Sequence, residues 1–150
     1  MESAIRSARE GIENNDGGPF GACIVRANSI LAIAHNTVLR DQDPTCHAEI
    51  NAIRIACQKL GTFDLTDCAL YTTAYPCPMC LGAIYWARIA SLFIGVGVEI
   101  AAQFGFRDAK IYQQMENSRK VPSVSIQTGI MYAECKELFD EWRKLERPLY

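Results

Sequence analysis

The sequence predicts an α/β domain, a mixed five-stranded sheet covered by helices, on three observations. Two short apolar runs separated by a turn, a hairpin pattern, precede a stretch in which helical and strand patterns alternate. Apolar residues make up 49% and charged residues 21%, ordinary globular values that exclude disorder, collagen and coiled coil. The length of 150 residues suits one domain with its own core. No internal repeat, low-complexity tract or long linker interrupts the chain, so residues 1–150 are read as a single domain.

The elements follow in order. Ala4, Ile5, Ala8 and Ile12 fit one face of a helix over 3–13, which Asn14-Asn15-Asp16-Gly17-Gly18-Pro19 ends. Gly21–Val25 and Ile30–Ala34 read as strands joined by the turn Ala27-Asn28-Ser29. Asp41-Gln42-Asp43-Pro44-Thr45 looks like a helix start, with Ile50, Ile53, Ile55, Ala56 and Leu60 following at mostly helical spacing and Gly61 as C-cap. Ala69–Thr73 is a strand, and Pro76 and Pro78 suit the entrance to a second such helix, from about Met79 to Arg88. Ser91–Val98, apolar and β-branched, is a strand, while residues 99–121 give no clear pattern. Val124–Gln127 supplies a fifth strand, and Glu134–Leu145 a terminal helix with Leu138, Phe139 and Trp142 on one face.

Fifteen basic against seventeen acidic residues leave a net charge of −2, which argues against a large phosphate-tracking surface. No apolar run approaches the ~18–20 residues of a membrane span, and the opening MESAIRSAREGIE is no signal peptide. Seven cysteines, an odd count in a chain able to form its own core, favour a reducing, cytoplasmic compartment over a disulfide scaffold. Cys23, Cys57 and Cys68 sit among apolar residues and read as buried thiols. His35 ends a strand without a partner in the pattern and reads as a packing residue.

Two segments carry chemistry: Cys46-His47-Ala48-Glu49 and, about thirty residues on, Pro76-Cys77-Pro78-Met79-Cys80. His47, Cys77 and Cys80 offer one imidazole and two thiolates, three ligands of a tetrahedral zinc site that leave a fourth position for water. Cysteines three apart in a first helical turn can face one ion, where the helix dipole favours both thiolates. Glu49, two residues past His47, brings a carboxylate near a water whose pKa zinc lowers toward ~7, and can take and return a proton. The bland readings weigh less in this company: a redox C-x-x-C pair, a closed structural site with Cys46 as fourth ligand, and a solvated helix glutamate at Glu49. H-x-E followed by P-C-x-x-C is the signature of zinc nucleobase deaminases as a class.

At these residues the chain resembles the cytidine deaminase-like superfamily, and within it the guanine deaminase branch. The matching stretches are Gly17-Gly18-Pro19-Phe20-Gly21-Ala22, His35-Asn36, Asp43-Pro44-Thr45 and His47-Ala48-Glu49. Further matches are Ala52-Ile53-Arg54, Tyr71-Thr72-Thr73, Pro76 through Arg88, Gly105-Phe106, Asp108 and Tyr150. The resemblance implies a three-layer α/β/α domain with one zinc ion per subunit, and attack by an activated water on an amino-bearing ring carbon. For guanine the products are xanthine and ammonia. It implies His47, Cys77 and Cys80 as zinc ligands and Glu49 as proton shuttle. Asn36 and the Ala48 N–H would hold the ring edge, Phe20 would stack on the base, and Asp108 would bind the purine N–H groups and help protonate the leaving amine. It also implies a homodimer in which the C-terminal segment crosses to the partner, with Tyr150 closing the neighbour's pocket.

Two positions depart from the branch: Tyr75 stands where it commonly has Glu, and Arg107 precedes Asp108 where it commonly has two acidic residues. A cation beside Asp108 would lower that carboxylate's pKa. The departures leave open the same chemistry on guanosine, cytosine or an aminotriazine, or on a tRNA adenosine. A zinc-stabilised binding module without activity is opposed by Glu49, which a structural site does not need.

Overall fold

A computed structural model describes residues 1–106, 108–117 and 131. The chain divides into two compact units, Met1–Gln113 and Gln114–Tyr150. The described elements are α1 (Glu2–Glu13), β1 (Gly21–Arg26), β2 (Ser29–His35), α2 (Val38–Asp41), α3 (Ala48–Leu60), β3 (Cys68–Ala74), α4 (Pro78–Trp86), β4 (Ser91–Val96), α5 (Val98–Gln103) and α6 (Asp108–Asn117).

The first strands form the expected hairpin. Its turn places Ala27 at φ 47° and Asn28 at φ 63°, the left-handed pair that matches the twist of the flanking strands. The sheet runs β2-β1-β3-β4, so it is mixed: β1 is antiparallel to β2 and β3, and β3 is parallel to β4. Four strands, not five, are present among the described residues. The strand expected at 124–127 and the helix at 134–145 lie outside them.

Strand alternation sorts the side chains into two faces. Ala22 and Ile24 of β1, Ala32 and Ala34 of β2 and Leu70 of β3 point one way, into a core closed by Ala48, Ala52 and Ala56 of α3. Alanines at every fourth position give α3 a smooth stripe, which lets it lie close to the sheet. The opposite face takes α1. Gly21 sits so near that a Cβ there would come within 2.0 Å of the Ala4 carbonyl oxygen. Gly21→Ala must push α1 off the sheet, and overpacking of this kind costs ~1–3 kcal/mol. The expected reading is a lowered denaturant midpoint with an unchanged m-value.

The start of α3 differs from expectation in a way that matters for the site. The chain makes the short helix α2, passes through Gln42 in the left-handed region at φ 51°, and begins α3 only at Ala48. Pro44 disfavours helical backbone at Asp43. The Asp43 carboxylate then accepts the Thr45 N–H and hydroxyl, both at 2.7 Å, closing a side-chain turn that delays the helix. His47 is left as an extended N-cap residue, φ −70° and ψ 155°. Gly61 caps the other end at φ 66° as expected. The strand expected over Ser91–Val98 ends at Val96, Val98 instead opens α5, and the stretch from residue 99 that gave no clear pattern carries the rest of α5 and α6.

Candidate active site

The two chemical segments meet because each opens a helix. Cys77 follows β3 as the N-cap of α4, extended at φ −68° and ψ 168°, with Pro78 in the first turn. His47 is the N-cap of α3. Cys80, three residues beyond Cys77 and fully buried, completes a triangle with edges of 3.5 Å (Cys77 Sγ to His47 Nδ1), 3.5 Å (Cys80 Sγ to His47 Nδ1) and 3.6 Å (Cys77 Sγ to Cys80 Sγ). A tetrahedral zinc with bonds of ~2.3 Å to sulfur and ~2.0–2.1 Å to nitrogen requires edges of roughly 3.6 and 3.8 Å. The donors therefore fit that ion in type, number and spacing. They form the one such group of three among the described residues, and Cys46 is not part of it. Cys46 is buried beside Arg54, whose Nη1 lies 3.7 Å from its sulfur.

The protonation of this cluster reflects its crowding. The Cys77 thiol is lowered to about 4 by its hydrogen bond with Cys80 and by His47 beside it. Cys80 is pushed up by its hydrogen bond with Cys77, by burial and by the neighbouring Glu49. His47 is raised by its contact with Cys77. A divalent ion held by His47, Cys77 and Cys80 would take the place of these protons, since zinc binds thiolate and neutral imidazole.

Glu49 is 5% exposed, and burial raises its carboxyl above the usual range. Its Oε2 lies 3.6 Å from Cys80 Sγ. Its Oε1 lies 3.3 Å from the Thr72 hydroxyl, which shares its proton with the Ala74 carbonyl at 3.1 Å. A carboxylate held beside three metal donors, yet free of the ligand set, is placed for proton transfer.

In front of the cluster lies a cavity of about 430 Å³, lined by Gly17, Gly18, Phe20, Asn36, Val38, Leu39, His47, Glu49, Tyr75, Cys77, Phe106 and Asp108. Asn36 is buried, and its Oδ1 accepts the N–H groups of Gly18 and Val38, both at 3.2 Å. The Nδ2 group is thereby left as the donor for the cavity. Phe20 meets Phe106 edge to face, centroids 4.7 Å apart, an arrangement that fixes the Phe20 ring as an apolar wall. The Asp108 carboxyl is raised by burial and by the neighbouring Cys77. This is the direction opposite to the one a cation beside it would produce; Arg107 lies outside the described residues.

Phe20, Asn36, His47, Glu49, Cys77 and Asp108 thus share one cavity, with Cys80 enclosed behind it. Ala48 is fully buried and does not line the cavity. Its N–H heads α3, where no preceding helical carbonyl can accept it. Tyr150 lies outside the described residues. His35 is half-buried and lies away from the metal donors, and Cys23 and Cys68 are buried, but Cys57 is only half-buried. A second cavity, about 660 Å³, runs between α1 and α3 at the β2 edge, away from the metal donors.

Sequence reasoning missed Thr72 and Tyr112. Thr72 was detectable, since it shares the inward face of β3 with Leu70. Tyr112 gave no signal. Its hydroxyl donates to the Pro76 carbonyl at 2.6 Å, and its ring meets Tyr75 edge to face at 6.0 Å, tying α6 to the loop that carries Cys77.

Comparison with known proteins agrees with this geometry. Residues 1–96 match the family model for the cytidine and deoxycytidylate deaminase zinc-binding region. The chain is 42% identical over 143 residues to a guanine deaminase of Bacillus subtilis, covering 95% of this chain and 91% of that one. The crystal structure of guanine deaminase from Bacillus subtilis superposes with a TM-score of 0.86 at 41% identity, covering 99% and 94% of the two chains. A tRNA-specific adenosine deaminase of Aquifex aeolicus is 43% identical over 89 residues, 59% of this chain and 58% of that one.

Proposed function

The chain belongs to the cytidine and deoxycytidylate deaminase zinc-binding family, and we propose that it is a zinc-dependent hydrolase that converts guanine and water to xanthine and ammonia. The observation that carries the chemistry is the His47–Cys77–Cys80 triangle with Glu49 enclosed beside it. Identity along nearly the whole length of a guanine deaminase carries the choice of ring.

Zinc held by His47, Cys77 and Cys80 supplies Lewis acidity that makes a water nucleophilic near neutral pH. The chain's residues do the rest. Asn36 Nδ2 donates to an acceptor on the base, and the Ala48 N–H grips a second position on the ring edge. Phe20, braced by Phe106, covers the ring face. Glu49 accepts a proton from the attacking water as the O–C2 bond forms, and returns it as the C2–N bond to the amino group breaks. Asp108 binds purine N–H groups and helps protonate the departing ammonia. Burial raises both carboxyls, which suits groups that carry protons in both directions.

The finer architecture belongs to the same proposal: a three-layer α/β/α domain over residues 1–150, with a fifth strand at 124–127. The C-terminal segment crosses to a partner subunit in a homodimer, where Tyr150 closes the neighbouring pocket and favours a free base over a nucleoside. The compartment is cytoplasmic. No helix among the described residues is long and apolar enough to cross a membrane.

The test follows ammonia release and the ultraviolet change from guanine to xanthine in zinc-loaded protein. Turnover of guanine with little or none of guanosine is expected. A zinc-loaded protein that ignores guanine but deaminates guanosine, cytosine, an aminotriazine or a tRNA adenosine would replace the substrate and direct attention to Tyr75 and Arg107.

A further inference from the structure

His35 is the last residue of β2, and Asn36 follows it directly. Asn36 faces the active-site cavity; His35 turns away, toward α1, and is absent from that cavity's lining. The His35 ring is nevertheless held on both nitrogens. Nε2 lies 2.8 Å from the Asp16 carboxylate and Nδ1 lies 3.0 Å from the Ser7 hydroxyl. A carboxylate only accepts, so Nε2 carries a proton, and in the neutral ring Nδ1 accepts from Ser7. Gly11 of α1 leaves room for the ring, since a Cβ there would come within 2.6 Å of it.

Asp16 is 7% exposed and is a junction. Besides His35, its carboxylate accepts from Arg40 Nη1 at 3.3 Å. Its N–H donates to the Gly11 carbonyl at 2.9 Å, and its own carbonyl accepts the N–H groups of Leu39 and Arg40 at 3.0 Å each. Asp16 therefore joins the end of α1, the end of β2 and the start of α2.

These same segments hold the Asn36 amide. Gly17 and Gly18 follow Asp16, and Gly18 N–H donates to Asn36 Oδ1, as Val38 N–H does from the other side. Gly17 packs so closely that a Cβ would fall 2.1 Å from that oxygen. Asn51 Nδ2 closes the frame by donating to the His35 carbonyl at 3.1 Å and the Thr37 hydroxyl at 2.9 Å.

We propose that His35, buttressed by Asp16 and Ser7, is a positioning residue for substrate recognition: it locks the Gly17-Gly18 segment onto Asn36, so that the Asn36 amide presents Nδ2 to the base. The inference rests on Asn36 contacting substrate in the reaction proposed above. His35 touches no substrate and no metal donor. It sets a binding contact equally strong in ground and transition states, so its loss acts on KM more than on kcat.

The test compares wild type with His35→Phe, which keeps the ring's shape without its polar contacts, His35→Gln, which restores an N–H donor, and Ser7→Ala, a milder change should His35→Phe fold poorly. Each zinc-loaded protein is assayed for KM and kcat with guanine. The Asn36 side-chain amide is followed by nuclear magnetic resonance without substrate. Loss of one fixed hydrogen bond predicts KM raised ~3–10-fold in His35→Phe with kcat nearly constant, an exchange-broadened Asn36 amide, substantial recovery of both in His35→Gln, and a smaller shift of the same kind in Ser7→Ala. A lowered melting temperature with unchanged KM and unchanged Asn36 resonances would overturn the proposal and leave His35 a stability residue. Should zinc-loaded wild type not turn over guanine, the substrate reading fails on its own, and the Asn36 resonances still decide the role of His35.

Discussion

Glu49→Gln removes turnover and leaves the metal in place. Glutamine keeps the length of the side chain and an oxygen for the Thr72 hydroxyl, so the packing around β3 survives. What is lost is a group able to take a proton from water and return it to the leaving amine. General acid–base catalysis contributes ~10²–10⁴-fold, and in the proposed reaction one carboxylate serves both transfers. The expected kcat falls at least into that range with guanine KM little changed. The buried carboxyl is also a liability to the fold, as its raised pKa shows. The metal-free variant is therefore expected to be at least as stable as metal-free wild type at neutral pH. Metal analysis, steady-state kinetics and thermal unfolding on one preparation check the claim. Residual activity above a tenth of wild type, with zinc fully loaded, would move the proton shuttle to another group.

Cys80→Ser produces the second large effect, through the ion. Cys80 is fully enclosed, with His47, Cys77 and Glu49 around its sulfur. A serine hydroxyl there is shorter, harder and not ionised near neutral pH, so the triangle keeps two competent ligands. Losing a group that merely orients a ligand costs ~10–100-fold in metal affinity; losing the ligand must cost more. The expected outcome is zinc content near one per chain in wild type and near zero in the variant after dialysis against a chelator, with deamination lost in parallel. Zinc retained at full stoichiometry would mean that the fourth-ligand reading of Cys46, or some other donor, deserves to return.

The metal donors and Glu49 were legible in the sequence because they are encoded locally: H-x-E and C-x-x-C each lie within one helix start, and short spacing fixes their geometry. The hairpin, β3 and α4 were legible for the same reason. What the sequence hid was decided by tertiary contact. Of the face read in α1, Ala4 and Ala8 are buried, but Ile5 and Ile12 are 38% and 48% exposed, and Ser7 and Gly11, which the pattern left out, are buried instead. Close approach to Gly21 and His35 selects small residues, which a hydrophobicity reading ranks low. The late start of α3 was hidden in a side-chain turn at Asp43. Tyr112 was hidden because its partner, the Pro76 carbonyl, lies thirty-six positions away in the chain.

The ligand triangle is split between the starts of α3 and α4. An ion bound there is a cross-link between two helices that the backbone joins only through a loop and β3, and it exists only in the folded chain. Free zinc concentration is therefore a stability variable. Above the dissociation constant each tenfold rise in free zinc adds about 1.4 kcal/mol to the unfolding free energy, so a shortage of zinc lowers the stability of the fold as well as the activity.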